Sequence, residues 1–219
     1  GIAVAMMLAI LDDDTLSHPR LEYIFTTNEE VTMGGVERID VSSIEGTRLL
    51  NLDSEEEGII TCGCAGGVKC AVTVSMDEHE VPLSKLSASV FEVKLSGLAG
   101  GHSGNDINKG RANSNLILAG LLKEIYGKAK FGLVSFNGGN LVNAIPRYAS
   151  AVVVGTAAEK AMITEAAEEL TEKWHAAEPE MEFTVTDIEL PGDTPVCIKP
   201  EKLFDIILEI PSGVIEMSP

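Results

Sequence analysis

The most informative segment of the sequence runs from residue 25 to residue 58 and reads FTTNEEVTMGGVERIDVSSIEGTRLLNLDSEEEG. Two β-rich, apolar runs are predicted to be strands: residues 21–27, which overlap the start of this segment, and residues 48–52, which lie within it. Residues 33–39 between them can form a short helix. Strand, helix and strand in alternation predict a parallel sheet. Two or three such strands cannot bury both faces of a parallel sheet. We therefore expect residues 1–69 to be part of a larger α/β domain.

Carboxylates follow both predicted strands. Glu29 and Glu30 come shortly after the first run, and Asp53 comes directly after the second. Ligands of open α/β sheets gather beyond the carboxyl ends of the strands, so these three side chains would meet at one point. Like charges repel unless a cation compensates or one group stays protonated, and a divalent metal that activates a water is one solution. The alternative is that these acids are simply solvated strand ends.

Glu29 and Glu30 are neighbours in the chain, and neighbouring side chains of a regular strand point to opposite faces. Both can serve one site only if the chain has already turned before them. In that arrangement one glutamate suits the role of a metal ligand and its neighbour suits that of a general base.

The composition is that of an acidic globular protein. The chain has 219 residues, of which 45% are hydrophobic and 23% are charged, and its formal net charge is −18. Because so acidic a chain repels nucleic acid and anionic membranes, we expect neither as a partner. The acidity fits a cation-binding site, but it equally fits simple solubility.

No targeting or membrane segment is predicted. The longest apolar run, Ile2 to Leu11, is too short to cross a bilayer and lacks the positive charges and cleavage site of a signal peptide. The spacing of the cysteines is not that of a paired CxxC zinc site. They are Cys62, Cys64, Cys70 and Cys197. We interpret them as free thiols in a reducing cytoplasm.

From residue 70 onward the pattern becomes that of an antiparallel α+β unit. Alternating apolar and polar residues predict strands with one wet face, and apolar residues at helical spacing predict helices. The strands are predicted at 70–80, 87–95, 132–136, 148–156 and 182–190, and the helices at 113–126, 156–174 and 201–209. Thr156 and Glu159 form a capping-box signal for the second helix. The order of these elements predicts a ferredoxin-like sheet.

A second candidate site centres on His102, which lies in the segment GGHSG at residues 100–104. Glycines let the backbone approach a ligand closely, and an imidazole there can donate a hydrogen bond to a developing oxyanion. The alternative is a turn histidine whose glycines only make the turn. The remaining histidines lie in polar segments and are expected to be surface or structural residues. They are His18, His79 and His175.

Several segments, in order, resemble the di-zinc M20-type metallopeptidases and, within them, most of all the aminoacyl-histidine (Xaa-His, carnosinase-type) dipeptidases. The segments are TNEEVTMGG (27–35), NLDSEEEG (51–58), GCAGG (63–67), GLAGGHSG (97–104) and FNGGNLVNAIPR (136–147). Several motifs in the right order are far more specific than any one of them. The likeness covers residues 1–154 and is fainter beyond.

The resemblance implies a role for each candidate residue. Glu29 is implied as the general base, Glu30 as a ligand of one zinc ion, and Asp53 as a ligand of the other. His102 is implied to reach toward the scissile carbonyl, often from the partner subunit. Asn143 is implied to bind the main chain of the substrate, since its amide can both donate and accept.

The resemblance also implies the organisation of the protein. Residues 1–69 would be part of a catalytic, metal-binding domain. Residues 70–219 would form a ferredoxin-like lid domain that mediates homodimer contact and is incomplete at its C terminus.

Arg147, four residues after Asn143, could pair with the carboxylate of a substrate or could be a solvated loop arginine.

The chain departs from the family pattern in several places. It offers no counterpart for the histidine of a His-x-Asp motif, for a bridging aspartate or for a C-terminal histidine. It opens on Gly1 in mid-pattern, and its motif has Val31-Thr32 in place of a small pair and Gly34 where an acid is common. We therefore expect an internal piece of a longer protein.

The longer protein is expected to hydrolyse small peptides of the Xaa-His type with two zinc ions, whereas this chain alone is expected to be inactive. Two alternatives stay open. One is a fragment that only dimerises, and the other is a deacylase or tripeptidase of the same family.

Overall fold

The computed structural model describes residues 1–29, 33–53, 57–63, 66–83, 87–192 and 194–216. The chain divides into two compact units, Gly1–Gly67 and Val68–Pro219. In chain order the helices are α1 (Ile2–Asp12), α2 (Gly34–Glu37), α3 (Ser114–Lys128), α4 (Ala157–Trp174) and α5 (Glu201–Glu209). Two short 3-10 helices lie at Val41–Ser43 and Ile107–Lys109.

The second unit is built on an antiparallel sheet. In chain order its strands are β1 (Glu78–Glu80), β2 (Ser89–Ser96), β3 (Gly101–His102), β4 (Gly132–Gly138), β5 (Ala144–Ile145), β6 (Ala149–Gly155), β7 (Glu182–Asp187) and β8 (Val196–Ile198). Six of them form one sheet in the order β1-β8-β4-β6-β2-β7, and β3 pairs with β5 in a separate two-stranded ribbon. Every described pairing is antiparallel.

The central four strands have the predicted ferredoxin-like arrangement. Along the chain β2, α3, β4, β6, α4 and β7 follow one another as strand, helix, strand, strand, helix and strand. In the sheet these strands stand in the order β4-β6-β2-β7, as a split βαβ motif requires. Strands β8 and β1 extend the sheet beyond β4, so β7 is left as the opposite edge strand.

Both long helices of this unit begin at side-chain caps. The side chain of Asn113 accepts hydrogen bonds from the backbone N–H groups of Asn115 and Leu116, at 3.0 and 3.4 Å, which starts α3. Helix α4 begins at the predicted capping box, in which the Glu159 carboxylate accepts from the backbone N–H of Thr156 at 2.6 Å. The caps satisfy backbone donors that have no partner inside the helix.

The main core lies between the sheet and the helices. Phe91 and Val93 of β2 pack with Leu122 of α3 and Ile163 of α4, and all four side chains are fully buried. Burying a side chain of this size contributes about 1.5–3 kcal/mol. Val90 points to the opposite face of β2 and belongs to a smaller cluster there. This core holds the sheet against the helices. The loops of the candidate site extend from the ends of the strands of this sheet.

The first unit does not form the predicted parallel sheet. Residues 21–27 and 48–52 carry no strand, and no strand occurs elsewhere in the described part of this unit. The apolar side chains that should face a sheet remain in solvent, with Leu49 82% and Leu50 86% exposed. The prediction of two strands is therefore wrong for this structure. A β-strand needs a neighbouring strand to pair its backbone, and the described part of this unit supplies none.

The apolar sequence of residues 1–13 predicts a buried helix, and helix α1 forms close to this range but is not buried. It contains no buried residue, and Ile2 is 77% exposed. The prediction of burial is wrong because no apolar surface of the described residues covers this helix. Within the described ranges, no helix is both long and apolar enough to span a bilayer.

Candidate functional site

His102 lies on the small ribbon of the second unit, and Asn143 comes directly before the ribbon's other strand, β5. In this ribbon Gly101 faces Ile145 and His102 faces Ala144. The backbone N–H of Ser103 then donates to the carbonyl oxygen of Asn143 at 2.9 Å. Two segments predicted to contribute to one site, residues 97–104 and 136–147, are thus joined by backbone hydrogen bonds.

The imidazole of His102 is held by its own loop. Its Nδ1 accepts hydrogen bonds from the backbone N–H groups of Gly104 and Asn105, both at 3.1 Å. An Nδ1 that accepts two N–H donors carries no proton, so the neutral ring carries its proton on Nε2. The His102 side chain is exposed, and Nε2 has no hydrogen-bond partner among the residues described. The ring therefore presents one N–H donor outward.

Asp106 closes the loop that follows His102. Its carboxylate accepts from the backbone N–H of His102 at 2.8 Å and from Nζ of Lys109 at 2.6 Å, and its own N–H donates to the His102 carbonyl oxygen at 3.0 Å. The hydrogen bond from Lys109, followed by that from the backbone of His102, lowers the pKa of Asp106 below its ordinary value. Asp106 is not among the predicted site residues, although it lies only two positions beyond the segment GLAGGHSG.

The two glycines before His102 are required by close packing. Gly100 has φ +60°, and a Cβ there would lie 2.1 Å from Cγ of Arg147. Gly101 has φ +140°, and a Cβ there would lie 2.2 Å from Nη1 of Arg111 and 2.6 Å from Oδ2 of Asp106. Both conformations are strained for a residue with a side chain. The glycines thus let two arginines and a carboxylate pack against the backbone beside His102.

The arginines hold this backbone in place. Nε of Arg147 donates to the carbonyl oxygen of Leu98 at 2.9 Å, and Nη1 of Arg111 donates to the carbonyl oxygen of Gly100. Arg147 therefore makes a structural contact with the loop and is not simply a solvated side chain. Among the described residues, the exposed side-chain amide of Asn143 makes no hydrogen bond, so it can serve a ligand.

The predicted carboxylates belong to the first unit. The chain turns at Asn28, where φ is +56°, and the N–H of Met33 closes the turn on the Asn28 carbonyl oxygen at 2.8 Å. Glu29 lies in this turn and is exposed. Asp53 is also exposed, and its N–H donates to Oδ1 of Asn51 at 2.9 Å. Glu30 lies outside the described residues.

The described residues do not assemble a metal centre. No group of three or more His, Cys, Asp or Glu side chains that could hold a metal ion occurs among them. Glu29 and Asp53, as placed here, therefore do not by themselves fit the two-zinc site that the resemblance implies. The residues that do come together are His102 and Asn143, which are suited to polar contacts with a substrate.

Comparison with known proteins bears on both units. Residues 93–182 match the peptidase dimerisation domain of the M20 family. Over these residues the chain is similar to that domain. This domain includes His102 and Asn143, and it runs from the middle of β2 to the first residue of β7. The predicted lid with a ferredoxin-like sheet is thereby confirmed.

Two dipeptidases are similar to the chain beyond the dimerisation domain. The cytosol non-specific dipeptidase of Escherichia coli (strain K12) is 39% identical over 160 residues, which cover 73% of this chain and 32% of that protein. The crystal structure of aminoacylhistidine dipeptidase from Vibrio alginolyticus is 29% identical, with a TM-score of 0.71, over 99% of this chain and 44% of that one. The predicted resemblance to M20-type dipeptidases is confirmed. The chain spans less than half the length of either relative.

Proposed function

We propose that this chain is part of a metal-dependent dipeptidase that hydrolyses dipeptides of the Xaa-His type. The observation that carries the proposal is the imidazole of His102, whose Nδ1 is occupied by two backbone donors and whose Nε2–H faces outward on the loop that is hydrogen-bonded to the backbone of Asn143. Support for the reaction class comes from the similarity to two dipeptidases. The preference for a C-terminal histidine rests on the resemblance to the aminoacylhistidine enzymes.

His102 is proposed to stabilise the transition state. When water attacks a peptide carbonyl, the carbonyl oxygen takes up negative charge, and a donor aimed at that oxygen lowers the barrier. The Nε2–H of His102 is such a donor, because the two backbone hydrogen bonds to Nδ1 set the tautomer before substrate binds. Asn143 is proposed to hold the substrate main chain, since its side-chain amide offers both a donor and an acceptor.

Glu29 is proposed as the general base. A carboxylate in this role takes a proton from the attacking water and passes it to the amine that leaves as the carbon–nitrogen bond breaks. The chain turns at Asn28, just before Glu29, and a turn at this place is the condition for Glu29 and Glu30 to serve one site.

Glu30 and Asp53 are proposed as ligands, one for each of two zinc ions. Zinc supplies a polarised carbonyl and an activated water when it is bound. Catalytic zinc sites use three protein ligands per ion, so these two carboxylates require further ligands that the described residues do not provide.

The protein is further proposed to be a cytoplasmic homodimer. The support is the dimerisation domain itself and the name of the bacterial relative, a cytosol dipeptidase. Strand β7 is the better edge for self-association because it has six residues, whereas the opposite edge strand β1 has three. An unpaired edge strand is a template for pairing with another chain.

One experiment tests the function. The whole protein that contains this chain is incubated with zinc and with Ala-His, Ala-Ala, Ala-Ala-His and N-acetyl-histidine, and release of free histidine or alanine is followed by chromatography. The proposal expects cleavage of Ala-His above the other three. Preference for N-acetyl-histidine would indicate a deacylase, preference for Ala-Ala-His a tripeptidase, and no cleavage at all would refute peptide hydrolysis.

A further inference from the structure

Glu178 is a buried carboxylate that the proposed reaction does not use. It lies in the turn after α4 and is 3% exposed. Its backbone is fixed to the end of that helix, because the N–H groups of Ala177 and Glu178 donate to the carbonyl oxygen of Trp174 at 2.9 and 2.8 Å. The side chain is thus directed from a rigid helix end into the interior.

The Glu178 carboxylate binds both ends of the loop that carries His102. Oε2 accepts from the backbone N–H of Ala99 at 2.7 Å, and Oε1 accepts from the backbone N–H of Ala112 at 3.1 Å. Ala99 lies three residues before His102, and Ala112 lies just ahead of the cap of α3. One side chain therefore connects the entrance of the loop, its exit and the end of α4.

Only a carboxylate satisfies both donors. Each of its oxygens accepts, whereas a glutamine of the same shape would turn an N–H₂ donor toward one of the two backbone N–H groups. No ion pair involving Glu178 occurs among the described residues, so no side-chain cation compensates the buried charge. Burial of a charged group is costly, and the two charge-assisted hydrogen bonds to the loop offset that cost.

The base of the loop is also closely packed against the same turn. Gly97 has φ +81°, and a Cβ there would lie 1.7 Å from the carbonyl oxygen of Glu180. Leu98, Met181 and Trp174 belong to one hydrophobic cluster beside this contact. The direction in which the loop leaves β2 is therefore fixed. Glu178 sets the distance between the two ends of the loop, Ala99 and Ala112.

We propose that Glu178 is a positioning residue for His102. By holding Ala99 and Ala112 it keeps the loop closed, so that the Gly104 and Asn105 N–H groups stay on Nδ1 and the proton stays on Nε2. Its purpose in hydrolysis rests on the proposed function, but its effect on the ring can be measured without any substrate.

The test uses nuclear magnetic resonance on the chain Gly1–Pro219 with Glu178→Gln, and with Glu180→Gln as the matched control. Glu180 is two residues away, exposed, and its side chain makes no hydrogen bond among the described residues. Ring ¹⁵N shifts of the histidines are recorded at about pH 8, where an imidazole of ordinary pKa is neutral. Amide hydrogen exchange is recorded on the same samples.

In the unmodified chain, His102 is expected to show the shifts of an Nε2–H ring. Glu178→Gln should move both ring shifts toward the average of the two tautomers and should speed exchange at Ala99 or Ala112 about tenfold or more. Exchange at Leu122 in the core should change less. The shifts of His79 and His175 should stay as they are, and Glu180→Gln should reproduce the unmodified chain.

Unchanged His102 shifts in a folded Glu178→Gln chain would overturn the proposal, even if exchange at Ala99 and Ala112 rises, because the carboxylate would then be only structural. If this variant unfolds, the unmodified chain decides through couplings across the hydrogen bonds from the Ala99 and Ala112 nitrogens to Cδ of Glu178. Both couplings, together with the shifts of an Nε2–H ring at His102, support the proposal. Their absence, in spectra that show the β2–β6 couplings, contradicts it. A failed hydrolysis assay leaves these results standing, so the two proposals fail separately.

Discussion

The backbone N–H of Ser103 donates to the carbonyl oxygen of Asn143 at 2.9 Å. Ser103 directly follows His102, the proposed oxyanion donor, and this hydrogen bond joins it to Asn143, the proposed substrate-binding residue. Ser103 and Asn143 are 40 positions apart in the chain, and the hydrogen bond makes them neighbours. The backbone next to His102 is thus fixed to that of Asn143, and we expect one substrate to contact both side chains.

Replacement of His102 by alanine should lower the turnover number of the whole protein about 10²–10³-fold, because loss of one oxyanion donor has this effect in hydrolases. KM should change little if the donor acts only in the transition state. Steady-state kinetics with Ala-His measure both. His175→Ala, at an exposed position after α4, is the control and should retain activity. A His102→Ala enzyme with near-normal turnover would exclude the oxyanion role.

Gly101→Ala should destabilise the second unit by about 1–3 kcal/mol, since alanine is strained at φ +140° and its Cβ would meet Nη1 of Arg111 at 2.2 Å. Gly127→Ala is the matched control. Gly127 lies in α3, and a Cβ there meets nothing within 4 Å, so alanine should stabilise by about 0.5–1 kcal/mol. Urea unfolding monitored by Trp174 fluorescence compares the two. Equal stabilities would show that the glycine is not needed.

Cys197 should resist alkylation in the folded chain. Burial raises the pKa of this thiol from 9.0 to about 11, and only the thiolate reacts. Because the folded pKa is raised, the thiol contributes stability that is complete below pH 9 and is lost as the pH rises toward 11. Iodoacetamide labelling with peptide mass mapping at about pH 8 should mark the exposed Cys70 and leave Cys197 until urea is added. Equal labelling of the two in the native chain would contradict the burial of Cys197.

The chain Gly1–Pro219 on its own is expected to show no dipeptide hydrolysis and to hold zinc only loosely. Glu30 and Asp53 would give one carboxylate to each proposed ion, whereas catalytic sites use three protein ligands. Metal analysis after dialysis and an Ala-His assay on the same sample measure both properties. Two zinc ions retained per chain, or measurable turnover, would show that other side chains, such as His18, His79 or Cys62, complete a site.

The second unit is expected to self-associate through β7. Sedimentation velocity over a range of concentrations should show a dimer, and Thr186→Lys should weaken it because an exposed lysine opposes edge pairing. His79→Lys introduces the same side chain on the other edge strand, β1, and should leave the dimer unchanged. A monomer at every concentration, with circular dichroism proving that the chain is folded, would count against self-association.

The sheet of the second unit was predictable because its signals are local. Alternation in β2 follows the pleat, the helix at 201–209 has the predicted bounds, and the Thr156–Glu159 capping box forms as predicted. The strand predicted at 70–80 forms only over Glu78–Glu80, where β8 is available for pairing. The runs at 21–27 and 48–52 have the same β-rich composition but no partner in the described residues. Composition favours a strand, whereas pairing decides whether it forms.

Only those residues of the candidate site that belong to the sequence motifs could be predicted. The glycines around His102 indicated a close approach of the backbone to a ligand, which stays a prediction, whereas the structure shows Gly100 and Gly101 at positive φ and packed against protein side chains. The tautomer of His102 could not be predicted, because it depends on where the loop directs two backbone N–H groups. Glu178 carried no signal, since it is one of several acids in a polar segment and its partners lie 66 and 79 residues away.

The ribbon of β3 and β5 has a consequence for how this fold can vary. Strand β3 lies in the connection from β2 to α3, and β5 lies in the connection from β4 to β6. The main sheet alone would let these connections gain or lose residues independently of each other. Their pairing removes that independence, because an insertion between β2 and His102 would slide the ribbon and displace Asn143 as well. Proteins with this fold should therefore show correlated lengths in the two connections. Independent insertions should occur only in the parts of each connection that lie outside the ribbon.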